Sequence, residues 1–453
     1  MNLPNYFIAD LPAETTLSPT MLAEACVTLK RNREQYLAPR TAEQIVRLVA
    51  NVAEGWLQAD NPFRKLALAH GPGRTGFGRP TLERGLDQFF GQLTREKLRA
   101  LLVQELGDVK RLDELVATPG EEKLSRAAIA TGPELLVHIA AGNIPNPTLM
   151  SLVLGLLTRS AQFVKCGSGA AYLPRLFAHS IYDADHKLGA CLEIAEWRGG
   201  NAALEAELFA AADCVTATGS DETLTAIRGQ LPVRTRLLGH GHRVSFGYVT
   251  GEALFGHGAK KIVAAAAVDV VAWNQLGCLS PHVIYVQRGG EYAPEHFAQM
   301  LAEELERRET VEPRGEVATD VAAAIASRRG IYEVRAAHSP ETQLWPSKHS
   351  TAWTVVYEAD ARFAVSCRHR FIYVKAVADV ESVMQNTDAV RGKVSTVGLA
   401  ASEEETREIT TTLARWGVTR VCPLGQMQNP PLTWRHDGRP PLGDLVTWTD
   451  FES

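Results

Sequence analysis

Three short clusters carry residue types suited to binding a charged, hydroxylated ligand: Ala141-Gly142-Asn143, Lys165-Cys166-Gly167-Ser168 and Gly219-Ser220. A lysine in such a position can hydrogen-bond ribose hydroxyls. A Gly-Ser pair that opens a helix offers backbone N–H groups to a pyrophosphate. By residue type alone, the clusters read equally as three ordinary turns. The chain also holds seven scattered cysteines, none in a C-x-x-C pair. A cysteine thiolate is a nucleophile that can carry an acyl group, although a free cysteine is most often a buried apolar filler. His240/His242 and Cys367/His369 lack a second pair at ligand spacing, so no metal site is expected. His436-Asp437-Gly438 reads as an Asp-Gly turn between strands, with a catalytic dyad as its other use.

The elements around these clusters give them a common address. Leu135-Leu136-Val137-His138-Ile139 is a short apolar run ending in Ala-Ala-Gly-Asn, which predicts a buried strand and a turn. Residues 146–157 predict a buried helix, 162–165 a second strand, 173–187 a helix, and 214–218 a third strand. Strand and helix alternate, with glycines at the strand ends. That pattern predicts an α/β fold with a parallel, doubly wound sheet, whose ligands sit at the carboxyl ends of the strands. Before it, residues 1–125 read as mainly helical, with helices over 41–57 and 94–106 each opened by a capping threonine. After it come a strand over 282–287, an amphipathic helix over 294–308, and strands over 351–358 and 370–377. The proline- and tryptophan-rich tail beyond Gly425 reads as an arm over a neighbouring lobe or subunit. Gly71-Pro-Gly73-Arg-Thr-Gly76 matches G-x-G-x-x-G formally. It follows a helix-like segment and carries a proline where the turn should open, so it reads as a structural loop and not a dinucleotide fingerprint.

Composition narrows the function classes. The 453 residues are 45% hydrophobic and 22% charged, with a net charge of −5. With no long basic run, neither nucleic acid nor an anionic membrane surface is an expected partner. The apolar stretches 149–157 and 262–273 are too short to span a bilayer. The N-terminal residues lack the basic and apolar regions of a secretory signal. An odd number of dispersed cysteines fits a reduced, cytoplasmic protein.

In order along the chain stand His138-Ile-Ala-Ala-Gly-Asn-Ile-Pro145, Trp197-Arg-Gly-Gly200, Thr218-Gly-Ser-Asp-Glu-Thr-Leu224, Arg243-Val-Ser-Phe-Gly-Tyr248, Asn274-Gln-Leu-Gly-Cys-Leu-Ser-Pro281 and Trp434-Arg-His-Asp-Gly438. This series resembles the LuxC-type acyl-CoA or acyl-protein thioester reductases of the aldehyde dehydrogenase superfamily. The Cys-Leu-Ser-Pro block and the Trp-Arg-His-Asp-Gly segment are its most specific parts. The resemblance implies an aldehyde-dehydrogenase-like fold. Its parts would be a helical region over 1–125, a Rossmann-type cofactor domain over 126–265, a catalytic α/β domain over 266–425 and a C-terminal arm over 426–453. It also implies Cys278 as nucleophile, with the Asn143 amide and the Cys278 backbone N–H as donors to the oxyanion. Lys165 would contact the adenosine ribose, and Gly219 and Ser220 would lie near the pyrophosphate. The expected reaction is reduction of a fatty acyl thioester, on CoA or a carrier protein, to the aldehyde through an acyl-cysteine. Homo-oligomers are expected by the same analogy, and luminescent relatives work with an acyl transferase and a synthetase.

Two departures from the oxidising aldehyde dehydrogenases sharpen this. Those enzymes place a water-activating glutamate in the segment matching 238–247. Here that segment reads Leu-Gly-His-Gly-His-Arg-Val-Ser-Phe-Gly, with no carboxylate. An acyl-cysteine with no base to hydrolyse it survives to accept hydride. His240 or His242 is placed to assist proton transfer, to contact a phosphate, or simply to shape the loop. NAD-preferring relatives often carry a glutamate three residues after the ribose lysine. Here that position is Ser168, which favours NADPH, with NADH as the second choice. An oxidising aldehyde dehydrogenase and a non-redox acyl-transfer subunit are the competing readings.

Overall fold

The computed structural model describes residues 3–12, 14–256 and 258–452. They form two compact units. The first comprises Met1–Thr75, Leu86–Gly241 and Pro431–Ser453; the second comprises Gly76–Gly85 and His242–Pro430. The division expected at 265/266 falls inside the second unit.

The first unit opens with helices. Ala42–Leu57 is capped by Thr41, whose hydroxyl accepts from Gln44 N while the Gln44 side chain accepts from Thr41 N. Arg95–Leu106 is capped by Thr94 in the same manner from one side. The glycine-rich stretch after residue 70 is not a loop. The helix Pro62–Thr75 runs through Pro72 and stops at Gly76, whose φ of +75° ends it. The strands are β1 (Arg126–Thr131), β2 (Leu135–Ile139), β3 (Ala161–Cys166), β4 (Leu192–Glu196), β5 (Cys214–Thr218) and β6 (Arg236–His240). The last five make one sheet in the order β4-β3-β2-β5-β6, with every pair parallel. The chain starts in the middle of this sheet and winds outward both ways, so the strand order reverses beside β2. Leu135, Val137, Phe163, Ala195 and Val215 pack one face against the helices Pro19–Asn32 and Ala202–Ala211.

Polar groups inside this sheet are matched. His138 is fully buried between Thr216 Oγ1 at 2.6 Å and Gln162 Oε1 at 2.9 Å. Gln162 Nε2 donates to Leu152 O, which turns its oxygen toward the ring and fixes the Nε2–H tautomer of His138. Burial pushes the His138 pKa down to about 4, so the ring is neutral here.

Glu193, on β4, is pushed the other way, up to about 8, by burial. Its Oε1 accepts from Ile8 N at 2.7 Å and ties the N-terminal turn Ile8–Asp10 to the sheet. A carboxyl raised in the fold is protonated there while ionised in the unfolded chain. Its stabilisation is therefore complete below pH 4.5 and is lost as pH rises toward 8. One unit of pKa is worth about 1.4 kcal/mol, which moves the melting of a domain this size by roughly 3–5 °C. Glu193→Gln keeps the oxygen and removes the ionisation. Its melting temperature should stay flat from pH 5 to 8 while that of the wild type falls. Parallel curves from calorimetry would contradict this.

The second unit holds β7 (Val244–Val249), β8 (Pro281–Gln287), β9 (Thr342–Pro346), β10 (Thr354–Glu358), β11 (Phe371–Val377), β12 (Val394–Ala400) and β13 (Arg420–Pro423). Their order is β13-β12-β7-β8-β11-β10-β9, parallel except for β9. Helices Gly258–Val271 and Pro294–Val311 pack on one face, and Thr319–His338 and Glu403–Trp416 on the other. Both faces are covered, so β8 and β11 are buried along nearly their whole length and mostly apolar, with His282 and Lys375 the polar residues inside them. The tail after Pro430 returns to the first unit, where β14 (Thr447–Glu452) pairs antiparallel with β1. Among the described residues, no helix is long and apolar enough to cross a membrane.

Candidate functional site

Within the first unit, five of the six residues expected from sequence stand at the carboxyl ends of adjacent parallel strands. Asn143 is exposed in the bend that follows β2. Lys165 is the penultimate residue of β3, and Ser168 lies exposed in the turn beyond it. Gly219 and Ser220 follow β5. Lys165 is 6% exposed. Its ammonium stands 5.7 Å from the centre of the Trp197 ring, and desolvation lowers its pKa. A half-desolvated ammonium gains from new acceptors, which a ribose diol supplies. The turn beside it is open, because a side chain at Gly167 or Gly169 would meet nothing within 4 Å. These features fit a dinucleotide lying across the strand ends.

Two details refine the expected roles. The Ser220 hydroxyl caps the helix Asp221–Gln230 by accepting from Thr223 N at 3.2 Å, and Asp221 and Glu222 occupy its first turn. A pyrophosphate at this end would meet backbone N–H groups with two carboxylates close by. The other detail was invisible in sequence. Glu196, the last residue of β4, accepts from Gly169 N at 2.7 Å and Ala171 N at 3.2 Å. The position three residues after Lys165 is a serine, yet a carboxylate still reaches the same turn from the neighbouring strand.

Cys278 lies in the second unit, between the helix Gly258–Val271 and β8. The approach to it is unusual. Trp273, Asn274 and Gln275 all have positive φ, at 48°, 51° and 59°, a conformation that costs non-glycine residues roughly 1 kcal/mol or more each. The surroundings fix them there. Asn274 O accepts from His369 N at 2.8 Å, and its side chain bonds Arg314 O and the Arg370 guanidinium. Arg370 is 1% exposed and continues to Glu309 and to Glu312 O. Gln275 donates to Pro281 O and Phe371 O across the base of the loop. Past the cysteine, Ser245 Oγ donates to Cys278 O at 2.8 Å. The loop is thus clamped at both ends, and Cys278 itself is only half-buried. The other six thiols are held inert. Burial pushes Cys26, Cys166 and Cys191 up to about 12, Cys214 and Cys422 up to about 11, and raises Cys367 as well. Cys166, beside Lys165, is therefore a core residue of β3 and not a second nucleophile.

His240, at the end of β6, and the segment His436-Asp437-Gly438 come together in the first unit. His240 Nδ1 lies 3.1 Å from Asp437 Oδ2, and the His240 and His436 rings stack at 4.1 Å with a 9° tilt. Asp437 has a φ of +53° within a short 3-10 turn, so it does not join two strands as the Asp-Gly pair had implied. The carboxylate and the two imidazoles are close enough to be considered as metal ligands. The rings are parallel, however, so their in-plane lone pairs run side by side and do not converge on one ion.

Comparison with known proteins agrees with this architecture. Residues 37–448 match the family model described as acyl-CoA reductase (LuxC). A long-chain acyl-protein thioester reductase from Aliivibrio fischeri is 25% identical over 328 residues, and long-chain acyl-protein thioester reductase 2 from Photobacterium leiognathi is 24% identical over 323. Each alignment takes in 70% of this chain and 63% of the relative's own length. Among solved structures, a putative aldehyde dehydrogenase from Anabaena variabilis superposes with a TM-score of 0.71 at 15% identity, over 96% of this chain and 93% of that one. A benzaldehyde dehydrogenase from Corynebacterium glutamicum gives 0.70 at 13% identity, over 97% and 91%. The fold is that of the aldehyde dehydrogenases, and the chain belongs to the LuxC acyl-CoA reductase family.

Proposed function

We propose that this protein reduces a long-chain acyl thioester to the aldehyde, with Cys278 carrying the acyl group between donor and reductant. The observation that carries this reading is the setting of Cys278: a half-buried thiol that follows three successive positive-φ residues, on a loop clamped on both sides. The relatives named as acyl-protein thioester reductases supply the substrate class. Cys278 exchanges one thioester for another, a nearly thermoneutral step. A bound reduced nicotinamide supplies the hydride for the second half of the reaction. Lys165 would hold the ribose, the Gly219–Ser220 turn would lie near the pyrophosphate with the Gly219 amide already spent on the His240 carbonyl, and Asn143 and the Cys278 N–H would stabilise the oxyanion. Loss of nicotinamide absorbance with a long-chain acyl-CoA tests the proposal. Reduction of NAD by an aldehyde in the absence of thiol would favour the oxidising alternative. Acylation of Cys278 without any turnover of the nicotinamide would favour the acyl-transfer one.

We favour NADPH, through Lys165 and Ser168, with Glu196 holding that preference low. Its carboxylate occupies two amides of the turn and would repel a 2′-phosphate held there. Glu196→Gln should raise the NADPH-to-NADH ratio of kcat/KM about fivefold, the equivalent of ~1 kcal/mol for one partly exposed charge. An unchanged ratio would remove Glu196 from specificity.

The chain should also pair with a second copy. Trp448 and Phe451 on the two-stranded ribbon of β1 and β14 are 39% and 52% exposed, and such a ribbon is only marginally stable alone. Light scattering that gives the mass of one chain at micromolar concentration would refute this.

A further inference from the structure

We propose that Gln428 is a positioning residue for the nucleophile: its side-chain amide braces the turn 277–280 on both sides of Cys278 and aims the thiol at the acyl donor. The inference rests on the reading of Cys278 as nucleophile and adds what holds the sulfur in line.

Cys278 occupies a four-residue turn, closed by Ser280 N donating to Gly277 O at 3.0 Å. A turn that small leaves the direction of the sulfur to whatever fixes its two ends. Both ends meet Gln428, which lies in the same unit. At the far end, Gln428 Nε2 donates to Ser280 Oγ. Ser280 is 2% exposed, and a buried hydroxyl gains from such a partner. At the near end, the same amide occupies the space of a side chain at residue 277. A Cβ on Gly277 would lie 2.7 Å from Gln428 Nε2 and 2.9 Å from Oε1. Gly277 does not have a positive φ, so its backbone conformation places no demand for glycine. The demand comes from the amide.

The segment that carries Gln428 is itself held. Asp269, 1% exposed on the helix Gly258–Val271, accepts from Gly425 N and from Met427 N, the latter at 2.9 Å. Arg420 donates to Met427 O at 2.7 Å and to Gln426 O at 2.9 Å. Residues 425–427 thus form a fixed strap, and Gln428 extends from it against the turn. With Ser245 holding Cys278 O at 2.8 Å, the turn is pinned at residues 277, 278 and 280. In the acylation step the Cys278 thiolate bonds to the acyl carbon and the donor's carbon–sulfur bond breaks. The donor leaves as a thiolate that takes up the proton the cysteine released, and nothing is oxidised or reduced. The step needs sulfur and carbonyl carbon aligned at contact distance, and a misplacement of about 1 Å costs on the order of 100-fold.

Two rates measured on the same variants separate positioning from loss of the thiol or of the fold. Acylation of Cys278 by palmitoyl-CoA, without a nicotinamide, is followed by mass. Alkylation by iodoacetamide, a small reagent that needs no fixed approach, reads the thiol alone. In Gln428→Ala acylation should slow about 100-fold, while alkylation stays within about threefold of wild type with the same pH profile. Gly277→Ala should do the same, since its methyl group meets the far end of a flexible side chain and displaces the amide, not the backbone. The double variant should be no slower than either single one, because both substitutions remove one contact. Additive losses in the double variant, or equal losses of acylation and alkylation in Gln428→Ala, would overturn the proposal. Wild type that acylates at Cys278 beside a Gln428→Ala variant that does so at the same rate removes Gln428 alone. Wild type that gains no acyl mass at Cys278 removes the nucleophile, and Gln428 with it.

Discussion

Cys278→Ala should abolish both covalent labelling and aldehyde formation while leaving the protein folded. Wild type incubated with a long-chain acyl-CoA, without a nicotinamide, should gain the mass of one acyl group. Peptide mapping should place that mass on the segment containing Cys278. The alanine variant should gain nothing, and its turnover should fall by on the order of 10⁴-fold or more, since the covalent route is removed entirely. Stability should change little, because the thiol is half-buried and the loop is held by Asn274, Gln275 and Ser245 instead. The other six cysteines provide an internal control. Their raised pKa values keep them as thiols near neutral pH, so labelling should not spread to them. An acyl adduct that persists in Cys278→Ala, or that maps to Cys367 or Cys422, would contradict the assignment.

How far sequence leads toward this site depends on burial and on contact distance. β2, β3 and β5 were legible because strands covered on both faces are short apolar runs, and glycines mark where they stop. β6 was not, since it is an edge strand of partly buried residues that begins with arginine and ends with histidine. The same holds for β4, whose two part-buried glutamates interrupt the apolar pattern. The helix Thr319–His338 escaped notice because its described buried residues are only Ile325, Arg329 and Tyr332 across 20 positions. Asn143, Lys165, Ser168, Gly219 and Ser220 could be read from local order, since each follows its own strand. The partners that hold neighbouring side chains in place are distant in sequence. Asp437 is 197 residues from His240, and Arg370 is 96 from Asn274. No local periodicity encodes such pairs. Glu196 illustrates a subtler limit: the absence of a carboxylate at position 168 was read correctly, but the adjacent strand restores a carboxylate to the same turn.

Asn143→Ala should lower kcat by about 100- to 1,000-fold, or ~2.7–4 kcal/mol in the barrier, with KM for the acyl thioester changed less than about threefold. The asymmetry follows from what an amide donor does. A neutral thioester carbonyl gains little from one more hydrogen bond, whereas the oxyanion formed on acylation and again on reduction gains a charge-assisted one. The side chain stands exposed in the bend after β2 and fills no core space. Its removal should therefore leave the melting temperature within about 1–2 °C of wild type. Both half-reactions pass through an oxyanion, so both should slow: acylation followed by the release of CoA thiol, and aldehyde formation from pre-acylated enzyme. A variant that loses only the second would restrict Asn143 to hydride acceptance. A rise in KM with kcat intact would make it a ground-state binding residue and leave the Cys278 backbone N–H as the single oxyanion donor of the pair.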